Sequence, residues 1–134
     1  MKRLALIAAL MAWPAGAQQV DWRTLGEALH DQRPQGPEMA SGTQAVLRAL
    51  DKVSGEVEDL PLAVGETITY GRLTIELSAC RYPQDNPASD AFTFLTIDDS
   101  RDRERVFQGW MVASSPALNA LDHPRYDVWA LSCE

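Results

Sequence analysis

The sequence predicts an all-β fold: a small antiparallel β-sandwich or closed barrel of about seven strands, with one short helix and a flexible N-terminal arm. Three observations predict it. Leu73, Ile75, Leu77 and Ala79 alternate with Thr74, Glu76 and Ser78, the period-2 pattern of a strand with one covered face. Other short runs rich in β-branched and aromatic residues follow one another, separated by glycine, proline and Ser-Gly turn signals. No stretch offers the long helical crossover that a parallel sheet requires.

The chain opens with Lys2 and Arg3, an apolar run from Leu4 to Trp13, and the small residues Ala15-Gly16-Ala17. These are the three parts of a cleavable secretory signal over residues 1–17, and the expected address is the periplasm. The apolar run is too short to span a bilayer, so no integral membrane segment is expected after its removal. Residues 18–44, with Arg33-Pro34-Gln35-Gly36-Pro37 at their middle, read as a mobile arm. Within it Asp21 is a candidate cap for a short helix carrying Trp22, Leu25 and Leu29 on one face.

The β-domain is expected over residues 45–134. Val46 to Leu50 and Val57 to Leu62 flank Asp51-Lys52-Val53-Ser54-Gly55 as a hairpin, and Pro61 confines the returning strand to an edge or a bulge. Thr67 to Tyr70 and Arg72 to Cys80 flank Gly71. Ala91 to Ile97 and Val106 to Ala113 follow, joined by the charged run Asp98 to Arg105, which reads as a solvated hairpin tip. Pro116 starts a helical turn through Leu121, with Ser115 as its N-cap, and Leu118 and Leu121 are spaced to plug the core. Tyr126 to Ser132 is the last strand, with Trp129 and Leu131 expected inward, as is Trp110 in register with Val106 and Val112.

Cys80 and Cys133 are the two cysteines, and in an oxidising compartment they are expected to pair. The bridge would close 53 residues, worth about 4 kcal/mol in the chain-entropy model. Strict alternation puts Cys80 on the polar face, so a bulge or a strand end is needed to turn it inward. The pair lacks the C-x-x-C spacing of a redox motif, and two cysteines and two histidines so scattered fail the spacing of a zinc site.

Charge narrows the partners. The chain carries 12 basic and 19 acidic residues, and losing Lys2 and Arg3 with the signal leaves 10 minus 19, or −9. Such acidity argues against nucleic acid and anionic lipid as partners.

The stretch from Gly109 to Cys133, GWMVASSPALNALDHPRYDVWALSC, resembles the signature of an alphaproteobacterial envelope family, domain of unknown function 2155. The resemblance extends back through Asp51 to Gly55, Val64-Gly65-Glu66 and Gly71 to Cys80, and covers roughly Val46 to Cys133. It implies an exported β-rich domain with paired cysteines and carries over no catalytic residues.

Catalysis has thin support in the residues themselves. Ser114 or Ser115, His123, and Asp127 or Asp122 supply the types of a hydrolase triad, but Ser114-Ser115-Pro116 is no G-x-S-x-G elbow. His123, Asp122 and Asp127 likewise lack the spacing of a metal loop, and no cofactor is expected. The expectation is a non-catalytic module binding an envelope protein, with Trp110, Asn119, Asp122 and His123 as contact residues on the Ala113 to Pro124 turn. An aromatic face of Trp110, Tyr126 and Trp129 binding a glycan or small molecule is the alternative, and a Ser115/His123/Asp127 hydrolase the third reading.

Overall fold

Alternation of small apolar residues builds two antiparallel sheets packed face to face. The computed structural model describes Arg23 and residues 36–134; the expected signal, the expected helix of Trp22, Leu25 and Leu29, and most of the expected arm lie outside the described residues. In chain order the strands are β1 (Met39–Ser41), β2 (Gln44–Asp51), β3 (Val57–Ala63), β4 (Thr67–Tyr70), β5 (Leu73–Pro83), β6 (Phe92–Asp99), β7 (Glu104–Val112) and β8 (Tyr126–Cys133), with a 3-10 turn at Pro116–Asn119. One sheet runs β1-β5-β6-β7 with β4 also on β5; the other runs β3-β2-β8. The fold is therefore a sandwich and not a closed barrel.

Inward positions are filled by Ala45, Leu47 and Ala49 from β2, Leu60 and Leu62 from β3, Leu73, Ile75 and Leu77 from β5, Leu95 and Ile97 from β6, and Val128 and Ala130 from β8. Each such Leu, Ile or Val side chain contributes about 1.5 to 3 kcal/mol on leaving water. Pro61 lies on β3, an edge strand, where its missing N–H breaks no ladder.

Cys80 faces inward because a bulge between Leu77 and Ala79 shifts the register of β5 against β6. A second irregularity, where β8 pairs with β2 at Val46 and Leu47, turns Cys133 inward as well. The two form a disulfide that ties the sheets together, with 5.9 Å between their Cα atoms. Gly42 crosses beside it on the way from β1 to β2, and a Cβ there would stand 2.5 Å from Cys133 Sγ. Residues 39–44, expected in the arm, belong instead to the sandwich: β1 extends the edge of β5 and Gln44 opens β2. Three paired residues are too few to show a period in sequence.

Two faces differ from expectation. On β7 the inward residues are Phe107 and Met111, and Trp110 points out, because Val106 is the extra residue where the register shifts. On β8 Tyr126, Val128 and Ala130 are inward, and Trp129 and Leu131 are only half-buried on the other face. Asp127 shares the face of Trp129, so turning Trp129 inward would have buried a carboxylate.

Candidate functional site

The end of the sandwich where β8 begins is closed by a polar cluster. Backbone N–H groups of Arg125 and Tyr126 both donate to His123 Nδ1, at 3.1 and 3.0 Å. That nitrogen therefore carries no proton, and the proton on Nε2 is donated to Asp99 Oδ2 at 3.0 Å. Arg72 donates to the same oxygen at 3.0 Å, and Asp99 Oδ1 accepts the Arg101 N–H. The His123 hydrogen bond, the Arg101 N–H and the Arg72 cation together hold the Asp99 carboxyl at about 2, below its ordinary 3.8. Asp51 at the end of β2 is lowered chiefly by its hydrogen bonds from Arg125, at 2.7 and 3.1 Å.

Tyr126 is the apolar centre of this cluster. His123 stacks on its ring at 5.3 Å, Tyr70 meets it edge-on at 5.7 Å, and the guanidiniums of Arg125 and Arg72 lie 5.2 and 5.8 Å from its centroid. Gly71, at φ +56°, lets the chain turn in the left-handed region, and any Cβ there would collide with the Tyr126 hydroxyl. Asp99 was expected in a solvated tip; it is buried because it supplies the acceptor that His123 and Arg72 need.

His123 is thus a structural residue and not part of an exposed contact surface. Its acid partner is Asp99, and with both ring nitrogens engaged it offers Ser115 no base and no triad with Asp127 or Asp122. Ser114 is held elsewhere, its hydroxyl donating to Asp90 Oδ2 at 2.7 Å. Among the described residues no three His, Cys, Asp or Glu side chains converge as a metal site.

The turn after β7 has a different character. Its backbone is pinned from two sides: Ser114 N–H donates to Asp90, and Asn119 Nδ2 donates to the Trp110 carbonyl at 3.0 Å. Asn119 approaches that edge because residue 109 is glycine; a Cβ there would meet Asn119 Nδ2 at 2.8 Å. Leu121 anchors the turn in the core, whereas Leu118, expected to share that role, is 77% exposed. Ser115 occupies the N-cap with Pro116 following, but its side chain makes no capping hydrogen bond. Asn119 and Trp110 are therefore brought together, while Asp122 is exposed and His123 turns away.

Trp110, at 36% exposure, meets Phe94 edge-on at 5.5 Å and carries the Arg81 guanidinium 5.4 Å from its ring centroid. The expected single aromatic face does not form, since Trp110 lies on one outer face, Tyr126 in the core and Trp129 on the opposite sheet. Trp129 instead lines a groove of about 260 Å3 with Asp127, Val128, Pro116, Ala117 and Ala120. Sequence reasoning missed this pairing, although Asp127 and Trp129, two apart on a strand, necessarily share a face.

The family model described as an uncharacterized protein conserved in bacteria, DUF2155, matches residues 45–133. The chain belongs to this family. Uncharacterized protein RP359 of Rickettsia prowazekii (strain Madrid E) is 35% identical over 101 residues, covering 72% of this chain and 64% of the relative. The chain thus spans just under two thirds of that relative's length. No solved structure matches it. The DUF2155 region takes in the polar cluster, both cysteines, the pinned turn and the groove, and begins just after β1. Among the described residues no helix is long and apolar enough to cross a membrane.

Proposed function

We propose that this DUF2155 chain is an exported, non-catalytic binding or scaffolding module of the cell envelope, which contacts a protein partner through the turn from Ala113 to Asp122. The observation that carries this reading is Leu118: an apolar side chain 77% exposed at the tip of a turn whose backbone is fixed by Asp90, Asn119 and buried Leu121. A side chain held out by a rigid frame loses little freedom on association, which favours binding. Export is supported by the signal-like residues 1–17 and by the disulfide, a bond of oxidising compartments. Trp110, beside the turn, adds the kind of aromatic anchor that dominates interface energetics.

A photoreactive residue placed at position 118 of the exported full chain tests the reading, with position 53 as control because Val53 is 76% exposed on a different loop. Adducts from 118 and none from 53 are expected; equal labelling, or none from 118, contradicts the proposal. A second reading, a periplasmic small-molecule or glycan-binding module, is favoured by the groove walled by Trp129. It predicts that soluble saccharides shift the Trp129 fluorescence.

A further inference from the structure

We propose that the groove between the 3-10 turn and β8 receives the side-chain ammonium of a lysine presented by the partner protein. The inference rests on reading this face as the partner-binding surface, and it names the partner's chemistry.

The groove combines a carboxylate and an indole, neither of which has a cation among the described residues. Asp127 accepts the Val128 N–H at Oδ1, at 3.1 Å, and no Lys, Arg or His pairs with it among the described residues. The acids that do have a basic partner are Asp51 with Arg125, Asp59 with Arg48, Asp98 with Arg105, and Asp99 with Arg72; Asp127 differs from the other unpaired acids in sharing a groove with an indole. The rings divide in the same way. Tyr126 carries Arg72 and Arg125, and Trp110 carries Arg81, whereas no cation of the described residues stands over Trp129.

A cation entering the groove would meet a carboxylate and the preferred aromatic surface for cations at once. Its walls of Pro116, Ala117 and Ala120 are small and apolar, suited to the methylene stem of a long side chain. The chain's formal charge of −7 draws cationic partners toward it over longer range. Lysine fits better than arginine. A compact ammonium on a long apolar stem needs only one carboxylate oxygen and the ring face, whereas a guanidinium fork is best used where a second acceptor lies in its plane, and among the described residues Asp127 is the one acid lining the groove.

The test is a titration of the folded full chain with N-acetyl-lysinamide, following the Trp129 indole N–H by NMR, beside N-acetyl-norleucinamide, which keeps most of the stem and lacks the charge. Saturable shifts about fivefold or more tighter for the lysine probe are expected, with the preference lost in Asp127→Asn and kept in Asp122→Asn. Equal response to both probes, no saturation, or an unaltered preference in Asp127→Asn overturns the proposal. Tighter saturation by a free diamine than by the lysine probe also overturns it, assigning the groove to a small amine. Crosslinking from position 118 with a silent lysine probe would leave the binding-module reading standing and remove this inference alone. A selective lysine response without crosslinking at 118 would support the groove and remove the turn as the contact surface.

Discussion

The two faces at the start of β8 carry the same kinds of group and treat them oppositely. On the inward face, Tyr126 is flanked by Arg72 and Arg125, and the nearby carboxylates Asp51 and Asp99 are both ion-paired. On the opposite face of the strand, Asp127 and Trp129 line an open groove with no cation from the described residues. A polar group satisfied inside the fold contributes stability, and one left facing solvent is available to a partner. Changes on the inward face should therefore destabilise the protein, while changes on the outward face should leave it folded and alter what it binds.

The largest expected effect is covalent and fixes the scale for the others. Replacing both Cys80 and Cys133 by alanine releases the 53-residue loop and should lower stability by about 4 kcal/mol in denaturant titration. A loss below 1 kcal/mol would mean that the polar cluster alone holds the sheets. Next comes His123→Ala, which leaves two backbone N–H groups and the Asp99 carboxylate short of a partner and should lower stability by roughly 2 to 4 kcal/mol. Stability unchanged by that substitution would erase the contrast between the faces.

Acid probes the same cluster without mutation. Asp99 is depressed in the folded state to about 2 from 3.8, so its contribution is complete above the unfolded value and is lost as pH falls from about 4 through 2. Thermal midpoints measured between pH 5 and 2 should fall steeply for the native chain. Asp99→Asn should start lower and fall less steeply because it lacks that titration, and should still fall because Asp51, Asp59 and Asp90 remain depressed. Parallel curves would show that Asp99 does not contribute to the acid response.

How far the sequence showed this depends on the kind of signal. The strands were legible because alternation and turn residues are local: Leu73, Ile75 and Leu77 sit where the pattern puts them, and of the bulge or strand end that would turn Cys80 inward, the bulge is present. Faces were less legible where both sets of alternate residues are apolar, as in β7, where Phe107 and Met111 compete with Trp110 and Val112. The Asp99–His123–Arg72 cluster left no sequence signal, since its members lie up to 51 positions apart and Asp99 sits in a run of exposed charges. Asn119 and Trp110 belong to one segment of the sequence, but only the fold shows that the side chain of one caps the other's carbonyl.

The smallest expected effect on stability carries the most weight for function. Asp127→Asn touches a half-buried residue whose carboxylate accepts one neighbouring N–H, so the thermal midpoint should stay within the equivalent of about 0.5 kcal/mol. The most direct test of the contrast is the yield of protein adducts from a photoreactive residue at position 118 in cells, compared between the native chain and Asp127→Asn at matched thermal stability. The account predicts that the yield falls several-fold while the midpoint holds. An unchanged yield, or a midpoint that falls as far as that of His123→Ala, would contradict it.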